Sequence, residues 1–152
     1  MPAGPDGFHP PLRHVAAADV SADTAQSPGM RRFAAISHRT VGSSRLWMGQ
    51  THVDPLMQSA NHHHGEAETG IFVVSGEPEF VFLDPDSQQE TRIRARAGDY
   101  VFVPPFTPHR EENNHPDLAA VVVIARSTQE AIVVNLPSLK PSSDQASAGS
   151  AD

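Results

Sequence analysis

The residues best placed to do chemistry are three consecutive histidines, His62, His63 and His64, followed by Glu66 and Glu68. In extended backbone, side chains alternate between faces, so His62 and His64 share one face and His63 takes the other. Glu68 follows His64 at an even offset and is expected to return to the histidine face, with Glu66 as its alternative. Two neutral imidazoles and a carboxylate converging on one point suit a divalent transition metal: Fe, Mn, Ni, Zn or Cu. A further ligand, His109, lies far along the chain. It follows the apolar run Tyr100 to Val103, the Pro104-Pro105 corner and Pro108, a stiff backbone that would hold one imidazole in place. Beyond it, Glu111 and Asn113 share its face, while Arg110 and Glu112 point away. Glu111 reads either as a carboxylate beside the metal, able to act as a general base, or as a rim residue bonded to water. From these residues alone, a metal site and a polar loop both remain open.

The elements that must position them are short strands. The runs 31–37, 44–53, 68–76, 77–84, 90–98, 99–105, 118–125 and 130–137 are rich in β-branched or aromatic residues, and most are bounded by Gly, Pro, Asn, Asp or Ser. Their spacing is that of an antiparallel sandwich or barrel. No stretch after residue 28 keeps a helical apolar period for three turns, so the fold class is all-β. Runs 68–76 and 77–84, joined around Gly76 and Pro78, read as a hairpin. Residues 1–28 form an irregular N-terminal arm, 29–136 a single β-barrel domain, and 137–152, with almost nothing to bury, a disordered tail.

Composition narrows the function further. A chain of 152 residues fits one domain with a real core. The net charge of −7 argues against nucleic acid as a partner. No apolar run approaches a membrane span and the N-terminus lacks a signal-peptide pattern, so a cytoplasmic protein with no membrane partner is expected. There are no cysteines, which leaves His, Asp and Glu to build any metal site.

Other motifs have plainer readings. Arg92, Arg94 and Arg96 form a ladder on one strand face, expected to be a solvated face or a dimer surface paired with acids, with anion recognition the minority case. His52 reads as a structural histidine, and Phe106 as a wall of the pocket near the metal loop. Lys140 lies in the tail and Arg110 has outward parity. No inward cation is therefore evident of the kind a sugar-phosphate site would want.

The two histidine segments resemble the paired motifs of the cupin superfamily of small jelly-roll barrels. The first family motif runs Gly, five residues, His-x-His, three or four residues, Glu, six residues, Gly; His62, His64, Glu68 and Gly76 match it. The second runs Gly, five residues, Pro-x-Gly, two residues, His, three residues, Asn; Gly98, Pro104, His109 and Asn113 match it. Leu56 and Phe106 stand where the family has glycine, and seven residues rather than six separate Glu68 from Gly76. The extra residue predicts a bulge near Gly70. The resemblance implies an antiparallel double-stranded β-helix (jelly-roll) barrel with one divalent metal on His62, His64, Glu68 and His109. It also implies a homodimer paired through the arm. For function it implies a dioxygenase-like oxidoreductase on a small organic molecule, with two alternatives. One is a Lewis-acid isomerase, lyase or decarboxylase on a carbonyl or sugar-like substrate. The other is a non-catalytic small-ligand binder.

Overall fold

The computed structural model describes residues 9–140. The strands are β1 (Met30–Ile36), β2 (Trp47–Val53), β3 (Met57–Gln58), β4 (His62–His63), β5 (Thr69–Ser75), β6 (Glu79–Leu83), β7 (Glu90–Arg94), β8 (Tyr100–Val103), β9 (His109–Asn113), β10 (Ala120–Arg126) and β11 (Val134–Asn135). They pair antiparallel into two sheets, ordered β1-β2-β10-β5-β8 and β11-β4-β9-β6-β7, with β3 also on β9. The all-β jelly-roll expectation holds. One turn of helix, α1 (His38–Val41), interrupts it, started by a Ser37–Thr40 capping box and stopped by Gly42.

Alternation along each strand builds the core between the sheets. In β2, Trp47, Gly49, Thr51 and Val53 turn inward and are buried. In β5 the inward set is Thr69, Ile71 and Val73. Ile71, Val73, Phe80, Ala95, Val103 and Val122 form the main apolar cluster, and Met30, Val53 and Ala120 a smaller one. The main cluster takes residues from both sheets, and its burial is what holds the two layers face to face.

Two local expectations are corrected. The runs 68–76 and 77–84 are not a hairpin, because β5 pairs with β10 and β8 while β6 pairs with β7 and β9. Gly76 turns the chain from one sheet to the other with φ +86, and a Cβ there would lie 2.6 Å from Ala120 Cα. The turn is therefore packed against the backbone at the start of β10, the strand beside β5 in the same sheet. The bulge is not at Gly70, which pairs regularly with Ala125 and Phe102. It lies at Val74, where the register with β10 slips between Val122 opposite Val73 and Val121 opposite Ser75.

Both chain ends lie against the barrel where they are described. The arm makes a 3₁₀ turn at Ala17–Asp19, then a bridge from Ser21 to Ala34. Leu139, inside the stretch expected as tail, is buried, as is Leu136 before it. The first eight residues of the arm and residues 141–152 of the expected tail lie outside the described residues. No described helix is long and apolar enough to cross a membrane.

Candidate metal centre

The structure brings His62, His64 and His109 together, as parity and the proline-held corner predict. Their potential ligand atoms all lie within 4.8 Å of one another. The ring centroids are 4.8 Å apart for His62 and His64, 4.5 Å for His62 and His109, and 5.1 Å for His64 and His109. His62 in β4 stands directly opposite His109 in β9.

Each ring is oriented through its Nδ1. His62 Nδ1 lies 2.7 Å from Ala60 O, His64 Nδ1 2.8 Å from Ile132 O, and His109 Nδ1 2.9 Å from Thr107 O. A carbonyl only accepts, so each Nδ1 donates, and each Nε2 is left as a lone-pair donor atom. Burial, the largest influence, holds all three imidazoles toward the neutral form, with His64 and His109 lowered to about 4. His109 Nε2 is buried with no hydrogen-bond partner. An orphaned lone pair costs on the order of 1–3 kcal/mol unless something fills it. Neutral imidazoles, fixed tautomers and an unpartnered nitrogen aimed among its fellows together fit a divalent transition metal.

Glu68 does not join them. It is exposed and lies outside the cluster, and Glu66 is exposed as well. Parity fails because the chain between His64 and Glu68 is not extended. Gly65 has φ +56, and Ala67 N donates to His64 O at 3.1 Å, closing a turn. β5 then starts with Thr69 inward, so Glu68 faces out and its backbone N–H bonds Ser127 Oγ. Six residues separate Thr69 from Gly76, so Thr69 occupies the position that the family spacing reserves for the carboxylate.

The remaining expectations sort by face. His63 points away, accepting from Gly65 N and packing on Phe106 at 5.8 Å. Asn113 is fully buried and structural, its Nδ2 donating to the carbonyls of Val53, Asp54 and Leu118. His52 sits edge-on to Phe33 with a ring nitrogen 3.0 Å from Gln50 Oε1, a structural histidine as expected. Two rungs of the arginine ladder are paired with acids, Arg92 to Glu112 and Glu79 and Arg94 to Glu79, while Arg96 is exposed with no ion pair among the described residues. Arg110 faces outward onto Glu112 and Glu90.

Two cavities flank the histidines. One, of about 490 Å³, lies between the sheets, with His62, His64, Thr69 and Glu111 on its wall. The other, of about 560 Å³, is lined by His109 with Phe80, Phe82, Phe102 and Phe106. Phe106 is thus a cavity wall, as expected. Glu111 stands beside His62, which favours its ionised form, but burial dominates and raises its pKa.

Sequence reasoning missed two arginines in the first cavity, Arg32 from β1 and Arg126 from β10. The signal was available: Arg32 alternates in phase with buried Met30 and Ala34, and Arg126 with buried Ala120 and Val122. The expectation of a site without inward cations is therefore corrected.

Comparison with known proteins agrees with this architecture. The family model described as "Cupin domain" matches residues 50–125. No curated protein sequence matches the chain. The polyketide cyclase RemF from Streptomyces resistomycificus superposes with TM-score 0.66 at 23% identity, over 88% of this chain and 89% of that one. Oxalate decarboxylase from Bacillus subtilis superposes with TM-score 0.69 at 20% identity, over 90% of this chain but only 35% of its own. An oxalate oxidase in complex with the substrate analogue glycolate gives TM-score 0.62 at 19% identity, over 82% and 63%. Identities this low speak for the fold alone. Together with the family match across half of its length, they show that the chain belongs to the cupin family.

Proposed function

We propose that this barrel is a metal-dependent enzyme acting on a small organic molecule in the 490 Å³ cavity, with His62, His64 and His109 holding one divalent transition metal. The observation that carries the reading is the buried, partnerless Nε2 of His109, set among two other imidazoles whose Nδ1 atoms are also committed to carbonyls. When bound, such a metal supplies Lewis acidity toward a substrate oxygen and, where redox-active, oxygen chemistry.

The chain's own residues favour Lewis-acid chemistry: isomerisation, elimination or decarboxylation at a carbonyl compound. The ligand set is all imidazole, without the carboxylate of the two-His, one-carboxylate set of non-haem iron oxygenases. Glu111 lines the same cavity, and burial raises its pKa, the direction that favours a carboxyl exchanging a proton with substrate. Thr69 offers a hydroxyl where a further carboxylate would otherwise crowd the site. Arm residues Thr24 to Pro28 cover part of the cavity and limit its contact with bulk water. A dioxygenase-like reaction is the second reading, favoured because the three grouped imidazoles, with no carboxylate beside them in the group among the described residues, would leave coordination positions for exogenous ligands.

Elemental analysis of untagged protein tests the centre; about one equivalent of a transition metal is expected. Turnover of keto acids or keto sugars without air supports the Lewis-acid reading. Oxygen uptake on phenols, diketones or thiols supports the second. Metal-free protein whose thermal stability ignores added metal would leave a non-catalytic ligand binder. The assembly in this reading is a homodimer paired through the arm, and a monomer mass by light scattering would overturn that part.

A further inference from the structure

We propose that Arg32 and Arg126 form a carboxylate-binding subsite in the histidine cavity, so that the substrate is a small organic acid held by its carboxylate while another oxygen faces the histidines. Both arginines line this cavity, and Glu111 is the one acidic side chain on its described wall. Neither guanidinium has an ion-pair partner among the described residues. Exposed Arg31, Arg45 and Arg96 lack one too, but Arg32 and Arg126 line a cavity, where Arg32 acts on Glu111 only through its charge. Two cations against one carboxylate leave the cavity positive even before a divalent metal is counted.

The two groups are held as binding groups are held. Arg126 lies 4.0 Å above the Trp47 ring, with Nε donating to Thr128 O at 3.0 Å and Nη2 to Gln129 O at 2.8 Å. These bonds use neutral acceptors, which fix the fork without discharging it. Arg32 is set from the arm: Nη1 donates to Ser27 Oγ at 2.8 Å, and Gln26 clamps the Arg32 backbone through both its N–H and its carbonyl. Holding two like charges in one partly desolvated cavity is unfavourable, and Arg32 indeed disfavours the charge on Arg126. A planar anion bridging the two guanidinium groups offsets that repulsion. A cavity of this volume falls within the ordinary range for small-molecule sites.

The inference deepens the metal-centre reading and rests on it only for the oxygen that faces the histidines. Its test therefore compares metal-loaded and chelator-stripped full-length protein, titrated calorimetrically with benzoate and with its neutral isostere benzamide. Benzoate binding in both forms is expected, with benzamide at least about tenfold weaker. Arg32→Gln and Arg126→Gln should each weaken benzoate by about tenfold, leave metal content unchanged and flatten the salt dependence. Arg126→Lys, which keeps the charge but loses the fork, should be intermediate and serves if the glutamine variant does not fold. Equal binding of the two probes, no binding of either at millimolar concentration, or benzoate affinity unaffected by these substitutions would overturn the proposal. Tighter binding of inorganic phosphate than of benzoate would overturn its carboxylate assignment. Protein that never takes up metal yet keeps the benzoate preference would instead sink the metal-centre reading and leave this one standing.

Discussion

At the scale of single residues, the centre is three imidazoles presenting Nε2 because each Nδ1 is spent on a main-chain carbonyl. His62→Ala and His109→Ala should each abolish stoichiometric metal retention and the metal's contribution to Tm. Glu68→Gln, which alters an exposed side chain, should leave metal content at the wild-type value, both measured by elemental analysis. The acid dependence of the metal-free protein follows from burial. His64 and His109 have folded pKa values near 4 against an ordinary 6.5. The unfolded chain therefore takes up protons first as pH falls, and stability present above about 6.5 is lost progressively toward about 4. Glu111 works in the opposite sense above its ordinary value, because its folded carboxyl is the more easily protonated. With three lowered imidazoles against one raised carboxyl, the net expectation is a Tm that falls across this window. A Tm that rises there would contradict it, and saturating metal should blunt the fall.

At the scale of elements, the connections between strands carry the strain. Leu56 and Phe106, which replace the two family glycines, have φ +56 and +60, left-handed backbone that non-glycine residues adopt at a cost. Leu56 is 70% exposed, so its side chain contributes little packing. Leu56→Gly should therefore stabilise the fold by up to about 1 kcal/mol, after the greater flexibility of the unfolded chain is set against the relieved strain. In a domain of this size that is a rise of roughly 2–4 °C in Tm. Gly76 is the reverse case, since both its φ and the nearby Ala120 Cα oppose a side chain. Gly76→Ala should cost about 2 kcal/mol or more, seen as a drop of roughly 5 °C or more. This corner also shows why the hairpin expectation failed. A glycine followed by Glu-Pro between two apolar runs signals a turn, but not whether the returning strand pairs with its predecessor or crosses to the facing sheet.

At the scale of the whole molecule, the arm and the barrel share one cavity. Truncation to residues 29–152 should leave the far-UV β signal and metal retention intact, because the three grouped histidines sit in or beside β4 and β9. It should lower Tm and weaken benzoate binding, because Gln26 and Ser27 no longer seat Arg32. Unchanged benzoate affinity in that truncation would show that the arm does not position the arginine. By itself the sequence determined the all-β class, most strand positions and the grouping of His62, His64 and His109. Alternation and proline stiffness are local properties that extended backbone obeys residue by residue. It did not determine that Glu68 turns outward, because parity holds only while the chain stays extended and Gly65 closes a turn first. Only the tertiary structure placed Arg32 and Arg126 beside those histidines. The two come from β1 and β10 of one sheet and the histidines lie at β4 and β9 of the other, so their meeting depends on how the two layers stack, a relation carried by packing and by no local pattern.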